Sequence, residues 1–175
     1  MAAFAADDIK EKIRAIPDFP QQGILFRDIT PLLLDAERFH ACIHRFAELV
    51  PKPVDYVISI ESRGFIFGSA LAYALKAGFV PVRKAGKLPH KTFQTEYELE
   101  YGRAVLEIHA DAMHQGATAI IIDDVLATGG TVRAAVELVK KFGVKLAGVY
   151  VLIELTALKG RTKLHGIPVH ALISY

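Results

Sequence analysis

The run Ala119-Ile120-Ile121-Ile122-Asp123-Asp124-Val125-Leu126-Ala127-Thr128-Gly129-Gly130-Thr131 constrains this chain more than any other. An apolar, β-branched stretch meets two adjacent carboxylates, passes into small residues and then enters a helical pattern. Physically this reads as a strand, an acidic pair, a loop and a helix N-terminus. Gly129 and Gly130 carry no Cβ, so the backbone there can take positive φ and approach a ligand closely. Successive N–H groups, reinforced by the positive end of the following helix, then form an anion-binding concavity. Thr128 and Thr131 add hydroxyl donors. The stripe Val132, Ala135, Val136, Val139 and Phe142 predicts a helix from Val132 to about Phe142, stopped by Gly143.

Asp123 and Asp124 are expected where the strand ends. Neighbours inside a strand point to opposite faces, so both reach one ligand only where the strand has broken. Ionised carboxylates only accept hydrogen bonds and suit the paired hydroxyls of a ribose. A pair of aspartates capping a turn is the plainer reading, and the T-G-G-T loop directly behind them argues against it. The run is neither a Walker A loop nor a G-x-G-x-x-G dinucleotide loop.

At 175 residues, with 52% hydrophobic residues and a formal charge of +2, the chain is expected to be one soluble domain with a sizeable core. That charge gives no global basic field for nucleic acid. Cys42 is the only cysteine, which excludes an intramolecular disulfide and fits a reducing compartment. No apolar run reaches membrane-spanning length and no signal pattern opens the chain, so a cytoplasmic protein is the expectation.

Patterning predicts helices over Asp7 to Ala15, Asp35 to Val50 and Gly64 to Leu75, the second with Phe39, Ile43, Phe46, Ala47 and Val50 on its apolar face. Strands are expected over Val54 to Ile60, Phe79 to Arg83, Ala117 to Asp123, Leu146 to Ile153 and Val169 to Ser174. A hairpin of Thr92 to Leu99 and Ala104 to His109 interrupts this order. The alternation of strands and helices argues for a parallel α/β sheet that binds ligands outside the carboxyl ends of its strands.

Two more segments carry chemistry. Arg63 follows the strand ending at Ile60, where its planar fork can hold phosphate; pairing with Glu61 at the surface is the competing reading. Arg83, Lys84, Lys87 and Lys91 form a cationic run with Gly86 and Pro89. It reads as a solvated loop, a nucleic-acid patch or, beside a sugar-phosphate loop, a clamp for pyrophosphate that excludes water on closing. His40 and His44 have the spacing of a helical metal pair but lack a third ligand, and read as solvent-facing.

Hydrophobic residues, two acidic residues and a T-G-G-T loop resemble the phosphoribosyl-pyrophosphate (PRPP) signature of the type I phosphoribosyltransferases. Other segments resemble the adenine-specific members of that family and occur in its order: Gly23 to Pro31 (G-I-L-F-R-D-I-T-P), Glu61-Ser62-Arg63-Gly64-Phe65, Arg83 to Pro89, Leu99-Glu100-Tyr101-Gly102, and Glu154 to Gly160. They cover the chain from about residue 7 to residue 175, with Glu61 (Asp in many relatives) and Ala85 as departures.

The resemblance implies an α/β type I phosphoribosyltransferase fold: a mainly parallel central sheet flanked by helices, one domain over 1–175, residues 1–34 in a small hood over the base and residues 83–109 as a flexible flap. It implies purine salvage, with transfer of the 5-phosphoribosyl group from PRPP to adenine to give AMP and pyrophosphate. Asp123 and Asp124 would hold the ribose hydroxyls, and Ala127, Thr128, Gly129, Gly130 and Thr131 the 5′-phosphate. Arg63, Arg83, Lys84 and Lys87 would face pyrophosphate. Phe26 would stack on the base, the backbone of Leu25 and Arg27 would read its edge, and Val125 and Leu155 would wall it. Glu100 would move a proton on the purine and Tyr101 shield or orient the reaction centre, although Glu98 and Glu100 flanking Leu99 also fit a hairpin's solvent face. The resemblance further implies Mg²⁺ carried mainly by PRPP, with no dedicated metal ligands, and a homodimer, with neither nucleic acid nor membrane as partner. A phosphoribosyltransferase for another base and a non-catalytic PRPP-sensing regulator are the alternatives. The F-R-D and E-Y-G segments argue against the first, and the absence of extra length or basic charge against the second.

Overall fold

The computed structural model describes residues 6–98 and 103–175, so Glu100 and Tyr101 lie outside the described residues. The chain runs α1 (Ala6–Lys10), β1 (Arg14–Pro17), β2 (Leu25–Asp28), α2 (Thr30–Leu34), α3 (Ala36–Leu49), β3 (Tyr56–Ile60), α4 (Gly64–Leu75) and β4 (Gly78–Lys84). It continues through β5 (Thr92–Glu98), β6 (Arg103–His109), β7 (Thr118–Leu126), α5 (Gly130–Lys140), β8 (Lys145–Glu154), two 3₁₀ turns (Thr156–Leu158 and Gly160–Lys163) and β9 (Val169–Ser174).

Seven strands form one sheet in the order β5-β6-β4-β3-β7-β8-β9. The pairs β4–β3, β3–β7, β7–β8 and β8–β9 are parallel, and β6 joins β4 and β5 antiparallel. β7 is the middle one of the five parallel strands, and Ala119 to Ile122 are fully buried, as expected of a parallel strand covered on both faces. Side-chain alternation divides it. Ala119 and Ile121 pack with Val132, Ala135, Val136 and Val139 of α5, whereas Ile120 and Ile122 pack with Ile43 and Phe46 of α3 and Phe67 and Leu71 of α4. α4 lies close against the sheet because a Cβ at Gly68 would collide with the Ser59 side chain.

Several boundaries differ from the sequence expectation. The helix predicted to reach Ala15 ends at Lys10, and Arg14–Pro17 pairs antiparallel with β2, which patterning did not show. Proline at 17 disfavours helix at the residue before it, and a four-residue strand in a separate two-stranded ribbon leaves little periodicity to read. α2 was also not predicted; its Pro31 occupies the helix start, where a missing N–H costs nothing. α3 is capped by Asp35, whose side chain accepts the Arg38 N–H at 3.1 Å. α5 starts at Gly130 rather than Val132, with Gly129 at φ 79° as its cap.

Candidate active site

β7 does not break before the acidic pair but continues through both aspartates to Leu126, with Asp123 in register with Val151 of β8. The expectation that the strand ends at Asp123 is therefore corrected. The carboxylates converge by side-chain reach instead. Asp123 Oδ1 turns back to accept the Asp124 N–H at 2.9 Å, and a Cβ on Gly64 would lie 2.7 Å from that same oxygen. Asp124 Oδ2 lies 2.6 Å from Arg63 Nη2. Both acids thus border the turn between β3 and α4, and the Cβ-free Gly64 leaves them room.

The pair is buried, at 8% and 7% exposure. Burial, followed by the neighbouring Asp124 charge, pushes the Asp123 carboxyl well above its usual range. Burial also raises Asp124, against the opposing pull of Arg63. The Arg63 contact is close but not aligned as a hydrogen bond, so the buried Asp124 Oδ2 has no donor pointing at it. A ligand hydroxyl would satisfy that oxygen.

Behind the pair, Ala127, Thr128 and Gly129 lead directly into α5. The Arg133 N–H donates to Gly129 O at 2.9 Å, which leaves the earlier N–H groups of the helix without intrahelical acceptors. The loop is backed by main chain from the second 3₁₀ turn. A Cβ on Gly129 would strike Gly160 O, and a Cβ on Gly160 would strike Ala127 O. Gly160 is in turn held by its neighbour. Arg161 Nε and Nη2 donate to the two Glu154 oxygens at 2.6 and 2.7 Å, and Nη1 donates to Val169 O at 2.6 Å. This forked pair escaped sequence reasoning, because nothing local marks a strand-end glutamate and an arginine on a later turn as partners.

Arg63 also reaches the β2 ribbon. Its Nη1 donates to Arg27 O at 3.3 Å and its guanidinium carbon lies 4.8 Å from the Phe26 ring centroid. It pairs with Asp124, not with Glu61 as the surface reading had it. The main-chain oxygen of Arg27, one of the atoms expected to face a base, is held by Arg63. Leu25 is exposed, while Phe26 and Arg27 are half-buried. Val125 and Leu155 are both half-buried, and the Leu155 N–H bonds to Leu126 O at 2.9 Å, which sets Leu155 beside the end of β7.

The cationic run is organised by two acids that sequence reading did not assign. Glu61 accepts Arg83 Nε at 2.7 Å and the Lys84 N–H at 3.1 Å, and pairs with Lys87 Nζ at 3.2 Å. Burial alone pushes the Glu61 carboxyl up, but these donors outweigh it and hold the group below its ordinary range. Glu107, 2% exposed, accepts the N–H groups of Lys87 and Leu88, both at 2.8 Å, and Gln94 Nε2 at 3.2 Å. It too sits below its ordinary range, the backbone donors overcoming burial. Arg83 and Lys87 are thus brought together at Glu61, while the Lys84 side chain is exposed. His40 and His44 are both exposed on α3, His44 faces Glu48 at 3.3 Å, and no group of three metal-ligating side chains occurs among the described residues.

A buried acid pair, a glycine loop opening a helix and a row of cations meet at the carboxyl ends of parallel strands, where open α/β sheets bind their ligands. The phosphoribosyl transferase domain matches residues 31–166, and the chain belongs to that family. Adenine phosphoribosyltransferase of Thermotoga maritima is 54% identical over 96% of this chain and 98% of its own length. The crystal structure of adenine phosphoribosyltransferase from Thermoanaerobacter pseudethanolicus superposes with a TM-score of 0.94 at 49% identity, covering 98% of this chain and all of that one. The Saccharomyces cerevisiae enzyme, complexed with adenine and an imino-altritol bisphosphate, superposes with a TM-score of 0.92 at 44% identity over 96% of this chain and 98% of its own. This chain is a pentosyltransferase with the fold and sequence of the adenine phosphoribosyltransferases.

Proposed function

We propose that the chain transfers the 5-phosphoribosyl group of PRPP to adenine, releasing AMP and pyrophosphate. The buried Asp124 oxygen that lacks an aligned donor, beside a loop closed by Gly129 and Gly160, carries this reading. It accepts a ribose hydroxyl while Ala127 to Thr131 and the first turn of α5 receive the 5′-phosphate. Arg63, Arg83, Lys84 and Lys87 meet the pyrophosphate, which develops charge as the glycosidic carbon is released. Leu25 to Arg27, Val125 and Leu155 take the base, with residues 1–34 as the hood, residues 83–109 as the flap, and the whole chain as one domain. Glu100 exchanges the imidazole proton of adenine as the other ring nitrogen bonds to ribose, and Tyr101 covers the reaction centre.

Mg²⁺ fits this site through the substrate. Asp123 and Asp124 would face the ribose hydroxyls that share the ion. Carried on PRPP, Mg²⁺ would supply charge neutralisation for the leaving pyrophosphate. The partner is a second copy of the chain. On the outer side of α4 and the start of β4, Ile66, Tyr73 and Phe79 are 38%, 89% and 38% exposed, and Phe65 stacks edge-on against Phe79 with centroids 5.5 Å apart. No helix among the described residues is long and apolar enough to cross a membrane. The single cysteine, Cys42, is buried and its thiol is pushed up to about 12 by burial, which leaves it inert, and a lone cysteine fits the reducing cytoplasm.

The direct test mixes the protein with adenine, PRPP and Mg²⁺ and separates the nucleotides by chromatography. AMP and pyrophosphate in equal amounts are expected. Preferential incorporation of a 6-oxopurine overturns the choice of base. A mass from light scattering of twice the chain's 19.2 kDa is expected for the dimer.

A further inference from the structure

We infer that Tyr175 is a positioning residue for the base side of the reaction. Its ring lies under two cations of the N-terminal segment: the Arg27 guanidinium carbon is 3.6 Å from the ring centroid, and Lys10 Nζ is 5.6 Å from it. Cations over an aromatic face are attracted by the ring quadrupole, and arginine also stacks flat on it. The main chain of Tyr175 is tied to the end of the sheet. Its N–H donates to Glu154 O at 2.9 Å, and its main-chain oxygen accepts the Thr156 N–H at 2.9 Å and Thr156 Oγ1 at 2.6 Å. Leu155 is the residue between those two anchors.

One residue therefore touches both segments given to the base, β2 through Arg27 and the flanks of Leu155 through Glu154 and Thr156. The connection matters because β1 and β2 form a ribbon outside the seven-stranded sheet. A two-stranded ribbon has little stability alone and takes its position from the side chains that dock it. Arg63 docks it on the donor side of the site, and Tyr175 docks it on the far side. The ring, not the phenol hydroxyl, makes the contact. Removing the ring face frees Arg27 and loosens the backbone that reads the base, while the phosphate loop, backed by Gly160 main chain and not by the Tyr175 ring, stays as it is.

This inference rests on β2 being the adenine-facing strand. The test is steady-state kinetics of wild type, Tyr175→Phe and Tyr175→Leu, with adenine and PRPP varied separately and thermal unfolding of each variant recorded. Tyr175→Leu is expected to raise the adenine KM by about fivefold or more and to leave the PRPP KM within about twofold. Tyr175→Phe, which keeps the ring, is expected to match wild type. An unmoved adenine KM in Tyr175→Leu, an equal rise in both constants, or a Phe variant as impaired as the Leu variant overturns the inference. If Tyr175→Leu does not fold, Arg27→Met removes the other half of the stack and must show the same split; an unchanged adenine KM there is equally fatal. A wild type that forms no AMP from adenine removes the reading beneath the inference, whereas an active wild type with an indifferent Tyr175→Leu removes the inference alone.

Discussion

Asp123 and Asp124 stand at 8% and 7% exposure on an interior strand, just past the end of its β3 ladder and still alongside β8, while Leu25, on the ribbon given to the base, is 48% exposed and pairs only with β1. The donor side is held by backbone: parallel ladders, a helix start, and glycine main chain packed on glycine main chain. The base side is held by side chains, with Arg63 against Phe26 and Arg27 on one flank and Tyr175 on the other. On the proposed reading a phosphate would be met by N–H groups that cannot be re-aimed without unwinding α5, so rigidity would serve it. A flat base has to enter and a nucleotide has to leave, and elements of lower local stability serve that traffic.

Four outcomes would break or sharpen this contrast. The largest effect is expected from Glu100→Ala, which should lower kcat on the order of 10²-fold or more with little change in the PRPP KM; rates within a few-fold of wild type would remove Glu100 from proton transfer. Next comes Gly129→Ala. It places a Cβ against Gly160 O at a residue with φ 79°, a combined cost of about 3 kcal/mol. About 10²-fold weaker ribose 5-phosphate binding is expected by calorimetry, a 1.4 kcal/mol loss being tenfold, and adenine affinity should be spared.

Asp123→Asn should separate stability from function. A carboxyl raised above its unfolded value of 3.8 contributes most below that pH and loses its contribution as pH climbs through the folded value. At neutral pH, above the unfolded value, burying this acid is therefore a net cost. The neutral isostere keeps the acceptor for the Asp124 N–H, so thermal unfolding should show a gain of about 1 kcal/mol while PRPP turnover falls. A variant both less stable and less active would contradict the burial argument. The smallest effect concerns the cationic loop. Glu61 and Glu107 are lowered from 4.5, so their stabilisation is present above that pH and is lost as pH falls through the folded values. Amide exchange protection at Lys87 and Leu88 should drop below pH 4.5 before that of the β7 core does.

The local structure of the run proposed to hold the donor was largely legible because its parts are contiguous. The acid pair, the T-G-G-T loop and the α5 stripe lie within one run, and α4 and β9 begin and end where patterning puts them. The rule of strand alternation failed at Asp123 because it fixes where Cβ points, not where a carboxylate can bend. The ribbon was half-visible: β2 carries motif residues, but β1 has too few residues to show a period. Glu107, the Glu154–Arg161 fork and Tyr175 were invisible for another reason. Their partners are set by the fold, across a hairpin, a turn or the width of the sheet, and no spacing in the chain announces them.

The contact between Gly129 and Gly160 has a consequence for how this chain can vary. An overcrowded core position can usually be relieved by shrinking its neighbour. Here each residue's obstacle is main chain, at Gly160 for the first and at Ala127 for the second, and the two glycines facing each other are already the smallest residues available. No compensating second substitution exists for either. The two positions are locked together, one in the signature run and the other in a segment 31 residues further on. A sequence drifting freely elsewhere would reach this pair and stop.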